Sequence, residues 1–177
     1  MTSIPIDLKN KALETPKTNA AVVCPNEESV LLAVKEAKEI NLINPILIGK
    51  KSLIEKTANQ VNLEINSYNI IEINNEQEAA TVACKLAHED KVKIIIKGNL
   101  HTDILMRYYL KKEFNLIVGR RLSHIWHMTA QKLNKPLFIT DGALNVLPRV
   151  EIKLQILKNA VDFCNKINIF KTKVAIL

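Results

Sequence analysis

Lys91-Val92-Lys93-Ile94-Ile95-Ile96-Lys97-Gly98 is the clearest β-strand pattern of the chain, an aliphatic run that ends at a glycine. A helical pattern follows at once and begins at His101 or Thr102. The same order of aliphatic strand, turn and amphipathic helix occurs earlier, with strands at 20–24 and 45–49. Because a repeated strand–helix–strand order builds βαβ units, the pattern predicts a mostly parallel sheet covered by helices.

The rest of the chain continues this alternation. Further strands are predicted at 68–73, 136–140 and 173–177, and further helices at 26–40, 51–59, 75–88 and 150–166. Asn26 and Asn75 stand where side-chain caps are expected. The elements predict an α/β protein, a three-layer αβα lobe with a mostly parallel sheet. The predicted domains are a loose N-terminal segment over 1–18, the α/β lobe over 19–170 and, over 171–177, the first strand of an absent second lobe.

Composition excludes several classes of protein. Of the 177 residues, 47% are hydrophobic and only 5% are aromatic, so we expect an aliphatic core rather than disorder. No apolar run approaches the ~20 residues of a membrane span, and residues 1–7 lack the pattern of a signal peptide. Cys24, Cys84 and Cys164 form no CxxC motif, which favours buried, reduced thiols in a cytoplasmic protein.

Charge is distributed unevenly along the chain. Residues 1–90 contain 9 Lys and Arg against 13 Asp and Glu, whereas residues 91–177 contain 16 against 5. The second half is therefore expected to bind an anionic partner. Nucleic acid and a phosphorylated small molecule both remain open, although no interleaved aromatic residues or helix-turn-helix pattern favour nucleic acid.

Three loops after predicted strands carry the side chains best suited to chemistry, because ligands of parallel sheets gather at the carboxyl ends of strands. Residues 97–102 combine a lysine, a glycine and a helix start, which suits a phosphate or an ordinary strand-to-helix turn. Residues 119–124 contain two arginines and a Ser-His pair, which suits an anion or a solvated basic turn. Residues 140–145 contain an Asp and an Asn, which orient a substrate, supply a base or cap a turn.

Two other chemistries fit the sequence less well. His124 and His127 lie three residues apart, but no third residue completes the spacing of a metal site. A hydrolase triad of Ser123, His124 and Asp141 lacks the GxSxG motif, and adjacent residues of a strand point to opposite faces. The sequence therefore favours neither a metal centre nor a serine hydrolase.

An ordered set of short motifs covers nearly all of the chain after residue 19. They are LLAVKEA at 31–37, PILIG at 45–49, IKG at 96–98 with Leu100, Thr102 and Arg107, LSH at 122–124, TDGALN at 140–145 with Pro148, Lys153 with ILKNAV at 156–161, and KVAIL at 173–177. In order and spacing this set resembles the phosphate acetyltransferase/phosphate butyryltransferase family. The resemblance implies the Rossmann-like fold of the isocitrate/isopropylmalate dehydrogenase-like superfamily.

The resemblance implies reversible acyl transfer between coenzyme A and inorganic phosphate, with no metal and no permanently bound cofactor. A base deprotonates the CoA thiol, whose sulfur attacks the acyl phosphate carbonyl while cationic groups hold the phosphate. The partners implied are acyl-CoA, inorganic phosphate and acyl phosphate, and a homodimer for the full-length family. The substrate-binding residues implied by matching motifs are Lys97, Gly98, Thr102, Arg107, Ser123, His124, Asp141 and Asn145.

One part of the family pattern is missing from this sequence. The resemblance implies a second lobe after residue 177, with a Ser-Arg-Ala-Asp type motif that supplies the catalytic base. No catalytic residue is therefore assigned. The sequence predicts a truncated, cytoplasmic phosphate acyltransferase for acetyl-CoA or butyryl-CoA, with no nucleic-acid or membrane partner. A non-catalytic CoA- or phosphate-binding remnant and one half of a split enzyme remain as alternatives.

Overall fold

A computed structural model describes residues 5–117, 119–129 and 135–177 of the chain. Its helices are α1 (Ile6–Leu13), α2 (Glu28–Glu39), α3 (Lys51–Gln60), α4 (Glu76–His88), α5 (Thr102–Tyr109) and α6 (Val150–Lys166). Its strands are β1 (Thr18–Val23), β2 (Ile43–Gly49), β3 (Asn69–Glu72), β4 (Ile94–Lys97), β5 (Trp126–Met128) and β6 (Leu137–Ile139). The chain divides into two compact units: residues 12–116 form one, and 117–177 with the first eleven residues, as far as they are described, form the other.

The unit of residues 12–116 contains a four-stranded parallel sheet in the order β3-β2-β1-β4. Val22 of β1 lies opposite Leu47 of β2 and Ile96 of β4, and Leu47 lies opposite Ile70 of β3, so both central strands have aliphatic neighbours on either side. Helix α2 connects β1 to β2, α3 connects β2 to β3, and α4 leads from β3 to β4, so a helix follows each strand as βαβ geometry requires. The predicted α/β class and parallel sheet are confirmed.

Helices cover both faces of this sheet. Val23 packs on one face with Ala83 of α4 and Leu105 of α5, all buried. Val22 packs on the opposite face with Leu31 of α2. Because successive side chains of a strand point to opposite faces, the unbroken aliphatic run of β1 serves both cores. The result is the three-layer arrangement predicted from the sequence.

The unit of residues 117–177 contains an antiparallel ribbon of β5 and β6, with His127 opposite Phe138. The strand predicted at 136–140 is present in part, but its expected place in a parallel succession is wrong. Strand β5 was not predicted, because three residues are too few to show a period. Helix α6 has the bounds predicted from its pattern, 150–166.

The two ends of the chain differ locally from the prediction. Residues expected to be irregular form α1, whose first turn contains Asp7 and whose last turn contains Lys11, charges that favour a helix. The strand expected over 173–177 is not formed within the described chain. Aliphatic composition alone does not make a strand, because a strand is defined by its hydrogen-bonded neighbour. The three-part domain division stays a prediction.

Only one of the two predicted helix caps is present. The Asn75 side chain accepts hydrogen bonds from the backbone N–H groups of Gln77 (2.8 Å) and Glu78 (3.1 Å) at the start of α4. The prediction for Asn26 is wrong, because α2 begins two residues later and Glu27 occupies the cap position. The Asn26 Oδ1 is buried without a hydrogen-bond partner among the described residues.

We expect Asn75→Ala to lower the free energy of unfolding by about 1 kcal/mol, because two backbone donors lose their acceptor. The matched control is Asn26→Ala, which removes no side-chain hydrogen bond of the described structure and should change stability by less than about 0.5 kcal/mol. Urea unfolding of both variants measures the difference. If both variants lose the same unfolding free energy, Asn75 does not act as a cap.

Candidate functional site

The loop after β4 is fixed by a close approach between two backbones. The Gly98 N–H donates to the Val23 carbonyl, and the Asn99 N–H donates to the Cys24 carbonyl, both at 2.8 Å. A Cβ on Gly98 would lie 2.4 Å from the Cys24 oxygen, so only glycine fits without movement. Cys24 itself has a left-handed backbone, with φ of 51°. The loop is therefore held against the end of β1 by main-chain contacts.

The side chains predicted for this loop are held differently from one another. The Lys97 ammonium donates to the carbonyl oxygens of Gly98 (3.2 Å) and Leu100 (3.0 Å), so it lies along its own loop. Thr102 is the exposed first residue of α5. Arg107 lies further along α5, where its guanidinium is 3.7 Å from the Asp103 carboxylate. The structure thus brings Lys97, Gly98 and Thr102 into one loop and places Arg107 on the adjoining helix.

Cys24, whose carbonyl accepts the Asn99 N–H, also carries a thiol beside this loop. Burial, with a smaller contribution from the Glu76 carboxylate, raises the pKa of its thiol to about 11. A thiol with such a pKa is protonated at neutral pH and is a poor nucleophile. All three cysteines are buried and free, as expected.

In the unit of residues 117–177, Asn145 connects the other two candidate loops. Its amide nitrogen donates to the Leu122 carbonyl at 2.9 Å and to the Asp141 carboxylate. Its amide oxygen accepts a hydrogen bond from the Arg121 Nε at 2.9 Å. The loops at 119–124 and 140–145 are therefore joined through one amide.

Asp141 closes a turn of its own. Its carboxylate accepts hydrogen bonds from the backbone N–H groups of Ala143 (3.1 Å) and Leu144 (3.0 Å), which matches the turn-capping interpretation of this motif. Burial acts to raise the pKa of the Asp141 carboxyl, but hydrogen bonds from Leu144, Asn145 and Ala143 outweigh it and hold the pKa below its usual value. Asp141 is thus an ionised acceptor at neutral pH.

The lowered pKa of Asp141 predicts a pH dependence of stability. A carboxyl with a lower pKa in the folded state stabilises the fold above the unfolded-state pKa and loses this contribution as pH falls through the folded-state pKa. We expect the free energy of unfolding to fall below about pH 4 by up to about 1 kcal/mol, because the carboxylate is only partly buried. Asp141→Asn should remove this part of the acid loss, measured by urea unfolding from pH 6 to pH 3. Glu64→Gln, at an exposed position outside the helices, serves as control, and parallel pH profiles for wild type and Asp141→Asn would contradict the assignment.

Helix α6 holds the 119–124 loop with a polar stripe that was not predicted. Gln155 accepts from the Arg121 N–H at 2.8 Å, and Asp162 pairs with Arg120 at 2.6 Å. Between them, Asn159 donates to the Arg121 carbonyl (2.8 Å) and to the Ser123 hydroxyl (2.9 Å). The signal was present in the sequence, because residues spaced by four and three lie on one helix face.

The two histidines pack against aromatic rings. His124 meets Trp126 edge-on at 4.7 Å between centroids, and His127 meets Phe138 at 5.0 Å. The His124 Nδ1 is buried and has no hydrogen-bond partner within the described structure. Among the described residues, no group of three or more His, Cys, Asp or Glu side chains is placed to hold a metal ion.

The arrangement in residues 117–177 suits the binding of an anion. Arg121 is exposed, and its guanidinium is held through its Nε, which donates to the Asn145 amide oxygen. Guanidinium groups held in this way form paired hydrogen bonds with phosphate oxygens. Ser123 adds a hydroxyl that is itself positioned by Asn159.

The fold is that of solved phosphotransacylases. A phosphotransacetylase from Streptococcus pyogenes matches with a TM-score of 0.75 at 14% sequence identity, over 94% of this chain and 60% of that chain. A branched-chain phosphotransacylase from Enterococcus faecalis matches with a TM-score of 0.67 at 19% identity, over 84% of this chain and 51% of that chain. At these identities the likeness concerns the fold alone.

Sequence comparison identifies the family. The sequence profile described as phosphate acetyl/butaryl transferase matches residues 74–177. The phosphate acetyltransferase of Rickettsia felis is 38% identical over 97% of this chain and 50% of its own length. The phosphate butyryltransferase of Clostridium beijerinckii is 32% identical over 96% of this chain and 56% of its own length. The chain belongs to the phosphate acetyltransferase/butyryltransferase family, as its motifs indicated.

The chain spans about half the length of the curated relatives it matches.

In the part of the chain that the structure describes, no helix is both long and apolar enough to cross a membrane.

Proposed function

We propose that the chain provides part of a phosphate acyltransferase, which exchanges an acetyl or butyryl group between coenzyme A and inorganic phosphate. The observation that carries the proposal is the family match over residues 74–177, a span that includes all eight predicted substrate-binding residues. The homodimer and the cytoplasmic location implied by the resemblance belong to the same proposal.

In the direction of thioester formation, the CoA thiol loses its proton to a base and its sulfur attacks the acyl carbon of the acyl phosphate. The carbon–oxygen bond to phosphate then breaks, and inorganic phosphate leaves with that electron pair. Fixed donors and cations assist by stabilising the charge that develops on the carbonyl and phosphate oxygens. The reverse reaction makes acyl phosphate and CoA from acyl-CoA and phosphate through the same atoms.

Two groups of residues take substrate-binding roles in this proposal. In residues 12–116, the loop of Lys97, Gly98 and Thr102 offers a cation, a hydroxyl and the first N–H groups of α5, with Arg107 on the same helix. Each of these groups favours a phosphate. The free N–H groups at the start of α5 support the assignment.

In residues 117–177, we assign Ser123, His124, Asp141 and Asn145 to substrate binding, together with Arg121. Ser123 supplies a hydroxyl and Arg121 supplies a cation. Asp141 and Asn145 also maintain the geometry of the loops that carry them. We place the catalytic base in the part of the relatives that this chain does not match. No permanently bound cofactor or metal takes part in the proposed reaction.

The alternative is a chain that binds CoA or phosphate without turnover, alone or as half of a split enzyme. This alternative is retained because the chain covers only about half the length of its curated relatives. A rise in melting temperature with CoA or phosphate, without thioester formation, would identify this alternative. Salt-dependent retention on DNA, with no effect of CoA, would instead favour a nucleic-acid function.

The test is thioester formation from CoA with acetyl phosphate or butyryl phosphate, measured against protein concentration. Activity that survives repurification supports the proposal, and a faster-than-linear rise with concentration would indicate that subunits complete each other's sites. Heat-denatured protein provides the blank. Absence of both activity and ligand-induced stabilisation in a folded chain would limit the family relation to ancestry.

A further inference from the structure

Asn159 of α6 determines the direction in which the Ser123 hydroxyl forms hydrogen bonds. The Asn159 amide nitrogen lies 2.8 Å from the Arg121 carbonyl oxygen and 2.9 Å from the Ser123 Oγ. Because a carbonyl oxygen only accepts, the atom that faces it must be the amide nitrogen and not the amide oxygen. The two hydrogens of this nitrogen are then donated to the two oxygens. The Ser123 Oγ is therefore an acceptor toward Asn159.

The hydrogen of the Ser123 hydroxyl is consequently directed away from Asn159. A serine hydroxyl has one hydrogen and two lone pairs, and the amide engages one of the lone pairs. Among the described residues, no acceptor is hydrogen-bonded to this hydrogen. Ser123 is only partly buried, so solvent or a ligand must supply the acceptor.

The charged groups around Ser123 either donate or have partners of their own. The Asp162 carboxylate of α6 pairs with Arg120 at 2.6 Å. The Asp141 carboxylate already accepts two backbone N–H groups and one amide N–H. The Arg121 guanidinium has donors only. The cation and the hydroxyl of the proposed anion site therefore both act as donors.

We propose that Asn159, by fixing Ser123 as a donor, makes this site select the doubly ionised form of a phosphate group. The dianion offers three unprotonated oxygens, of which a guanidinium pairs with two and the Ser123 hydrogen meets the third. In the monoanion one oxygen carries a hydrogen, which opposes the hydrogen of Ser123. Asn159 is thus a positioning residue that acts through Ser123. The inference rests on the proposed function, which assigns Arg121 and Ser123 to one anion.

Two anions separate the ionisation of the ligand from that of the protein. The second pKa of a phosphate monoester is about 6, so methyl phosphate changes from dianion to monoanion between pH 7 and pH 5, whereas sulfate stays a dianion. NMR titrations of the full chain follow the Arg121 Nε–H signal, which reports on this site. The affinity for methyl phosphate relative to sulfate should fall about 10-fold from pH 7 to pH 5. A change in the charge of His124 or of the nearby carboxylates acts on the protein and is compared through sulfate.

Asn159→Asp reverses the polarity of the contact, because a carboxylate accepts the Ser123 hydrogen. We expect the affinity for sulfate at pH 7 to fall about 10-fold or more, since a hydrogen bond to a charged group is lost. Asn165→Asp is the matched control, because it adds the same charge at an exposed position of α6, and it should change the affinity by less than about 2-fold. Circular dichroism of each variant confirms that it is folded.

A double-mutant cycle with Ser123→Ala isolates the action through the hydroxyl. Repulsion between the anion and the new carboxylate is present in both backgrounds, so the difference between them measures what Asn159 does through Ser123. In the chain with Ser123→Ala, Asn159→Asp should lower the sulfate affinity by only about 3-fold. A purely structural role of Asn159 would give the same loss in both backgrounds.

Three results would overturn the proposal. They are the absence of a saturable shift of the Arg121 signal with either anion, an affinity ratio that does not change between pH 7 and pH 5, and equal effects of Asn159→Asp with and without the Ser123 hydroxyl. Thioester formation is measured separately. Thioester formation together with any of these results would retain the proposed function and remove the role of Asn159. The expected affinities without thioester formation would retain the donor site and contradict the proposed function.

Discussion

Replacement of Gly98 by alanine is expected to lower the free energy of unfolding by about 3 kcal/mol. The added methyl group would lie 2.4 Å from the Cys24 carbonyl oxygen and 2.7 Å from that of Val23. Both obstacles are main-chain atoms at the end of β1, where the last four residues, 20–23, are completely buried, so they cannot turn aside as a flexible side chain would. Relief requires the loop to separate from β1.

Such a separation breaks defined hydrogen bonds. The Gly98 and Asn99 N–H groups both donate to carbonyls of the β1 end at 2.8 Å, and a displaced loop would lose these bonds as well as close packing. Equilibrium unfolding in guanidinium chloride measures the loss. The matched control is Gly142→Ala, since a Cβ at Gly142 meets no atom within 4 Å. If Gly98→Ala lowers the free energy of unfolding by less than about 1 kcal/mol, the loop can move away from β1 at little cost and the prediction is wrong.

This prediction bears on function because Lys97 and the first turn of α5 belong to the same loop. The Lys97 ammonium is held by the carbonyls of Gly98 and Leu100, so movement of the loop moves the cation too. A phosphate site built on this loop depends on the close approach of Gly98 to β1. If the proposed function holds, Gly98→Ala should also reduce the phosphate-dependent rise in melting temperature.

The elements that the sequence predicted well are those in which many residues repeat one pattern. Helices α4 and α6 were predicted to within a residue at either end. With 13 and 17 residues, they repeat the helical spacing of apolar side chains over several turns. The strands of the parallel sheet were predicted from their continuous aliphatic runs. The parallel order followed from the intervening helices.

The elements that the sequence did not predict depend on distant contacts. Strand β5 has only three residues and exists through pairing with β6. Asn26 has the composition of a cap, but the local backbone starts α2 after Glu27, and propensity cannot fix a helix end to the residue. Charged end turns favour α1, but that signal is weak beside the prolines that flank it.

The candidate site was predicted as a set of loops and not as a network. The spacing of Asp141 and Asn145 shows that they are neighbours, and their hydrogen bond is local. The bond from Arg121 to Asn145 joins residues 24 positions apart, which only the folded chain determines. Asn159, 36 positions from Ser123, was likewise not assigned to the site.

Asn145→Ala is the second substitution for which we expect a large effect. The alanine removes the donor to the Leu122 carbonyl, the donor to the Asp141 carboxylate and the acceptor of the Arg121 Nε. Loss of these bonds should lower the free energy of unfolding by about 2 kcal/mol, since the site is only partly buried and water replaces some of them. Asn165→Ala, at an exposed position of α6, is the matched control and should change little.

The effect on activity separates a structural role from a positioning role. Without Asn145, Arg121 loses the contact that orients its guanidinium, and misplacement of a phosphate-binding group by about 1 Å reduces rates about 100-fold. Thioester formation by the active assembly should therefore fall by about that factor, measured below the unfolding temperature of the variant. Asn145→Gln tests the geometry, because it keeps the amide but displaces it by one methylene and should restore stability better than activity. Full activity in a destabilised Asn145→Ala protein would show that Asn145 only maintains the fold and would remove Arg121 from the proposed site.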